Sequence, residues 1–125
     1  MIAVDTSSLV AFLAGQEGPD VELVERALAD HQACLPPVVL TEILSDPALD
    51  GSVAARLRQL PLLPPTEGFW ERAGLLRATA LARKRKARVA DALIAQSCLD
   101  HDVALITRDR DFRTFAESTA LRRLP

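Results

Sequence analysis

The apolar residues of this chain fall into short blocks of two kinds. Brief apolar runs read as buried strands: Ile2–Asp5, Ala33–Leu35 and Ala104–Thr107. Longer stretches with apolar residues three and four apart read as helices. Ser7–Ala14 is the first of these, ended by Gly15, and a second follows Pro19 with Val21, Val24, Ala27 and Leu28 on one side. Pro36-Pro37 leads into a helix over Val38–Leu44, where the second proline suits the first turn. After the break at Asp46-Pro47, Ser52–Leu60 repeats the helical spacing through Val53, Leu57 and Leu60. Leu62-Leu63 is a short apolar piece before Pro64-Pro65, and Glu67–Arg83 is a longer helix carrying Trp70, Ala73, Leu76 and Leu81. Val89–Leu99 is the most apolar helix. The polar turn Arg108–Asp111 follows the third strand, Phe112 and Phe115 begin a last short helix, and Leu121 and Leu124 mark a final edge strand.

Strands that alternate with helices predict an α/β fold: a short-stranded parallel sheet covered by helices. With 125 residues and no repeat, low-complexity stretch or long linker, the expectation is a single domain over residues 1–125. Composition changes little: 49% apolar and 26% charged residues are ordinary for a globular protein. The net charge of −2 argues against global attraction to nucleic acid, so such a partner would need a local basic patch. The apolar start carries Asp5 and lacks a basic flank, so it does not read as a signal peptide, and no run is apolar enough to span a membrane. Cys34 and Cys98 are the only cysteines, both among apolar neighbours. They read as reduced core thiols, which suits a cytoplasmic protein.

The acids sit at informative places. In a parallel sheet, ligands bind at the carboxyl ends of the strands. Asp5 ends the first strand and Asp109 lies two residues past Thr107, so neighbouring strands would bring both to one edge. Asp91 falls in the first turn of the most apolar helix, and Glu42 interrupts an otherwise apolar one. Each has a plain alternative: Asp5 as a helix cap, Asp91 as a favourable charge at a helix N-terminus, Glu42 as a solvent-facing residue, Asp109 and Asp111 as turn residues. Taken together, carboxylates that converge repel one another, and a cation relieves the repulsion. Oxygen ligands alone suit Mg²⁺ or Mn²⁺. A zinc set of His31, Cys34, Cys98 and His101 is the competing metal reading, though His31 and Cys34 straddle a turn and a strand.

Four segments resemble, in order, the motifs of the PIN domain, and within it the VapC-type toxin ribonucleases of toxin–antitoxin pairs. They are Ile2-Ala3-Val4-Asp5-Thr6-Ser7, Thr41-Glu42-Ile43-Leu44, Asp91-Ala92-Leu93-Ile94-Ala95 and Thr107-Arg108-Asp109-Arg110-Asp111-Phe112. The resemblance implies a three-layer α/β/α fold and a metal-dependent endoribonuclease. Asp5, Glu42, Asp91 and Asp109 would be its catalytic acids, with Asp5, Asp91 and Asp109 on Mg²⁺ (or Mn²⁺). Asp111 is a further acid, and Thr6, Ser7 and Thr107 would steady the acids. The resemblance also implies an RNA substrate, a VapB-like antitoxin partner and a homodimer, with Ser7–Ala14 and Val21–Leu28 as places for antitoxin contact.

Five of the fifteen basic residues, Arg83, Lys84, Arg85, Lys86 and Arg88, lie just before Asp91. They read either as a phosphate-binding flank of the acidic site or as a solvated helix end. With no tyrosine and one tryptophan, base stacking has little to work with, and Trp70 reads as core or protein interface. An aspartyl-phosphate enzyme would need a second acid two residues after Asp5, where Ser7 stands, and a phosphate receiver would need a lysine after a later strand. A module on the same fold that binds metal, RNA or a partner without cutting is the remaining alternative.

Overall fold

The computed structural model describes residues 1–125. The elements run β1 (Ile2–Val4), α1 (Thr6–Leu13), α2 (Pro19–Ala29), β2 (Ala33–Cys34), α3 (Pro37–Leu44), α4 (Gly51–Leu57), α5 (Phe69–Ala82), α6 (Val89–His101), β3 (Leu105–Ile106), a 3₁₀ turn (Arg110–Phe112), α7 (Arg113–Ser118) and β4 (Arg123–Leu124). The four strands form one sheet in the order β2-β1-β3-β4. All pairings are parallel: Ala3 lies opposite Cys34 on one side and Leu105 on the other, and Ile106 lies opposite Leu124. A lone parallel bridge between Leu35 and Leu62 extends the β2 edge, so Leu62-Leu63 is a vestigial strand. With the helices packed over the sheet, this is the expected α/β/α arrangement.

Strand order reverses at β1. The chain leaves β1 toward β2, then returns through α3–α6 to place β3 on the opposite side of β1. The crevice beyond the carboxyl ends of β1 and β3 is therefore a topological switch point, where ligands bind in such sheets. The residues that follow those strands are Asp5 and Thr107.

The core is one cluster of 23 buried residues that joins Ala3, Val4, Leu105 and Ile106 of the sheet to Leu9, Val24, Val39, Ile94, Phe112 and Phe115 from the helices. Both cysteines are buried and free, and burial pushes the Cys98 thiol well above its usual range. No helix is long and apolar enough to cross a membrane.

The structure corrects two readings. Trp70 is not core: it is 67% exposed, whereas its neighbour Phe69 is 3% exposed. The helix starts at Phe69, not at Glu67, and Gly68 before it takes a left-handed conformation (φ +78°) that glycine adopts readily. Phe69, Ala73, Leu76 and Ala80 then face inward. Trp70 meets the Phe69 ring edge-on at 4.9 Å and borders an apolar groove with Leu81, Val89 and Leu93. The zinc set also fails to assemble. His31 is exposed in the turn before β2, His101 bonds the Pro64 carbonyl oxygen at 2.8 Å, and the only cluster with metal-ligating spacing is made of aspartates.

Candidate metal centre

Asp5 occupies the cap position of α1, yet its side chain makes no cap hydrogen bond. Instead its Oδ2 accepts from two hydroxyls, Ser7 Oγ at 2.6 Å and Thr107 Oγ1 at 2.8 Å. The carboxyl is 3% exposed. Burial raises its pKa, and the two hydroxyls pull it partly back. Asp5 is thus held chiefly by side-chain hydroxyls, one of them from the segment after β3, and not by a capping bond alone.

Thr107 links two of the acids. It is itself buried. Its hydroxyl donates to Asp5 and accepts the Asp109 amide N–H at 3.0 Å. Asp109 Oδ1 in turn accepts the Asp111 amide N–H at 2.9 Å. This side-chain-to-backbone turn swings Asp111 back toward the crevice. Asp91 enters from the first turn of α6. Carboxylate oxygens of Asp91, Asp109 and Asp111 all lie within 4.8 Å of one another.

Asp91 carries the stress of this convergence. It is 8% exposed, and its Oδ2 is buried with no hydrogen-bond partner. Its pKa is pushed up to about 6, first by burial and then by the charges of Asp109 and Asp5, with Arg88 opposing. A buried carboxylate oxygen that no protein donor satisfies costs free energy unless something else meets it. Three carboxylates with one unmet oxygen fit a hard divalent cation, and the all-oxygen donor set fits Mg²⁺ or Mn²⁺.

Among the residues singled out in the sequence, Asp91, Asp109 and Asp111 converge most tightly. Asp5 is not in the 4.8 Å cluster but lies close enough for its charge to raise the pKa of Asp91. Glu42 stands apart on the exposed face of α3, held by a 2.7 Å hydrogen bond from Thr6 Oγ1. Asp111 also pairs with Lys86 Nζ at 3.4 Å. In the basic run, Arg85 pairs with Glu117 at 3.1 Å, while Arg83, Lys84 and Arg88 have no acidic partner.

Sequence reasoning missed two half-buried clamps. Arg108 grips Asp20 at the start of α2 through Nε and Nη2, at 2.8 and 3.0 Å. Arg72 of α5 grips Asp100 of α6 in the same two-pronged way, at 3.1 and 2.6 Å. Arg108 was visible only as part of a polar turn, and nothing local marks Asp20 or Asp100 as partners of an arginine.

A parallel sheet with a cluster of aspartates at its switch point defines a class of α/β protein whose acids converge at the carboxyl ends of the strands. Within that class, residues 2–118 match the PIN domain. The chain belongs to the PIN domain family. Among curated proteins none matches it. Solved structures resemble it closely in fold. FitAcB from Neisseria gonorrhoeae shares 19% identity over 100% of this chain and 97% of its own, with a TM-score of 0.74. VapBC-1 from nontypeable Haemophilus influenzae shares 18% identity over 99% and 97%, with a TM-score of 0.75. VapBC-5 from Mycobacterium tuberculosis, a member of the VapBC family of toxin–antitoxin systems, shares 20% identity over 98% and 96%, with a TM-score of 0.69.

Proposed function

We propose that this chain is a divalent-metal-dependent endoribonuclease, the toxin of a toxin–antitoxin pair, acting as one PIN domain over residues 1–125. The observation that carries the reading is the buried, unpartnered oxygen of Asp91 beside Asp109 and Asp111. Membership of the PIN family and likeness in fold to VapBC and FitAcB proteins support it.

Asp91, Asp109 and Asp111 would hold Mg²⁺ (or Mn²⁺), with the charge of Asp5 close by. A bound divalent ion lowers the pKa of a water and offsets charge developing on a phosphodiester. The protein's own part is positioning. Ser7 and Thr107 hold Asp5 by one oxygen, Oδ2, so the carboxylate is fixed before any ligand arrives. Thr107 and the Asp109 turn set the remaining acids in register. Glu42, tied by Thr6 on the exposed face of α3, would take part through a water and not as a direct ligand of the aspartate cluster. Arg83, Lys84 and Arg88 offer unpaired cations for RNA phosphates beside the acids. A VapB-like antitoxin, a homodimeric assembly and a cytoplasmic setting complete the reading, the last in keeping with two buried free thiols.

The test is RNA cleavage by purified protein with Mg²⁺, with EDTA, and with Asp91→Asn. The reading expects cleavage only by wild type with metal. Cleavage that survives both EDTA and the substitution would refute it. Growth arrest on expression, relieved by a co-expressed small partner, would separate a toxin from a general nuclease. A wild-type protein that binds RNA and metal but never cuts would favour a non-catalytic module.

A further inference from the structure

Arg108 lies between the two residues that organise the acidic centre, Thr107 and Asp109, yet its side chain turns the other way, as alternate residues of an extended segment do. The guanidinium spends four hydrogen bonds on one short stretch of chain: Gln16 Oε1 at 2.9 Å, the Glu17 carbonyl at 3.1 Å, and Asp20 at 2.8 and 3.0 Å. Asp20 is 4% exposed. The stretch is shaped for this contact. Gly18 sits at φ +148°, and a Cβ there would come within 2.7 Å of Asp20 Oδ1 and 3.0 Å of Arg108 Nη2. Gly18, Asp20 and Arg108 therefore form one built joint between the α1–α2 turn and the segment that carries Thr107 and Asp109.

We propose that Arg108 is a positioning residue for the metal centre: by gripping Asp20 from the far side, it fixes the 107–109 segment and so the separation of Asp109 and Asp111 from Asp91. The inference rests on the proposed metal site. Outer-sphere residues that orient ligands typically change metal affinity by about 10- to 100-fold when removed. A fork of this shape is not replaced by lysine, which offers a single point charge. The Arg72–Asp100 pair supplies an internal control. It has the same two-pronged geometry and joins α5 to α6, but Asp100 lies nine residues along α6 from Asp91, about 13 Å away at 1.5 Å per residue.

The experiment titrates Mn²⁺ into the full chain by calorimetry, with thermal melts run alongside. Wild type, Arg108→Ala, Arg108→Lys, Asp20→Asn and Arg72→Ala are compared. The proposal expects Mn²⁺ affinity to fall about tenfold or more in the Arg108 and Asp20 variants, and to stay at the wild-type value in Arg72→Ala even where the melting temperature falls as far. If Arg108→Ala is too unstable to titrate, Arg108→Lys and Asp20→Asn carry the comparison. Unchanged affinity in folded Arg108 and Asp20 variants, or an equal loss in Arg72→Ala, overturns the positioning role. Wild type that binds no Mn²⁺ overturns the metal site itself and the inference with it.

Discussion

Replacing Asp91 with asparagine removes a charge and keeps the shape. In the metal-free protein at pH 7 this substitution should stabilise the fold. The carboxyl is lifted from 3.8 to about 6, and each pKa unit is worth about 1.4 kcal/mol, so holding it ionised costs at most about 3 kcal/mol. Solvent at the mouth of the crevice screens part of that. About 1.5 kcal/mol is the expected gain, or about 4–8 °C in Tm for a domain of this size. The pH dependence has a definite sign. Because the native pKa lies above the unfolded one, the native state holds more protons between pH 3.8 and about 6. Wild-type stability therefore falls as pH rises through that window, and the advantage of the asparagine variant shrinks to nothing near pH 4. Saturating Mn²⁺ should invert the order, since binding to the native state alone adds about 2.7 kcal/mol at a hundredfold excess over Kd. The assay is a pair of melts across pH 4–7 with EDTA and with Mn²⁺. An asparagine variant that is less stable than wild type in EDTA at pH 7 would refute the reasoning, because Asp91 would then be a structural partner and not an unmet charge.

Thr107→Val should cost about 1–3 kcal/mol in a urea titration, since it strips a donor from buried Asp5 and an acceptor from the Asp109 amide; Thr107→Ser should restore most of it, and a silent valine variant would contradict the network. Phe69→Ala should cost about 3–5 kcal/mol while Trp70→Ala costs under about 1 kcal/mol, because only the first is buried; equal losses would place the helix in the wrong phase. Asp20 and Asp100 have pKa values lowered chiefly by hydrogen bonds from Arg108 and Arg72. They contribute stability above pH 3.8 that is lost as pH falls through their lower native values. Removing either arginine should flatten the acid limb of the stability curve, read as Tm between pH 2 and 5; an unaltered limb would show that the pair does not persist in solution.

The inner strands were legible as short apolar runs bounded by helices, and Asp5 was legible because it breaks that apolar pattern at a strand end. Alternation of strands and helices allowed β1 and β3 to be neighbours without fixing the strand order; the structure pairs them and brings the residues after both strands to one edge. Trp70 was read from its spacing as core or interface; packing buries the adjacent Phe69 instead and leaves Trp70 exposed beside an apolar groove, a choice between neighbouring aromatics that spacing does not make. The tightness of the Asp111 position was hidden for a related reason: it depends on the Asp109 side chain bonding the backbone two residues on, which spacing alone does not reveal. The Arg108–Asp20 joint was invisible because its partners lie 88 residues apart, and no local periodicity records a contact of that range.

The central claim is that Asp91, Asp109 and Asp111 share a divalent cation. Anomalous diffraction from crystals soaked in Mn²⁺ tests it most directly. The account predicts a peak within coordinating distance of Asp91 Oδ2, the buried oxygen that lacks a partner, and its loss in Asp91→Asn. A peak only elsewhere, or none at Mn²⁺ concentrations that support cleavage, would contradict it.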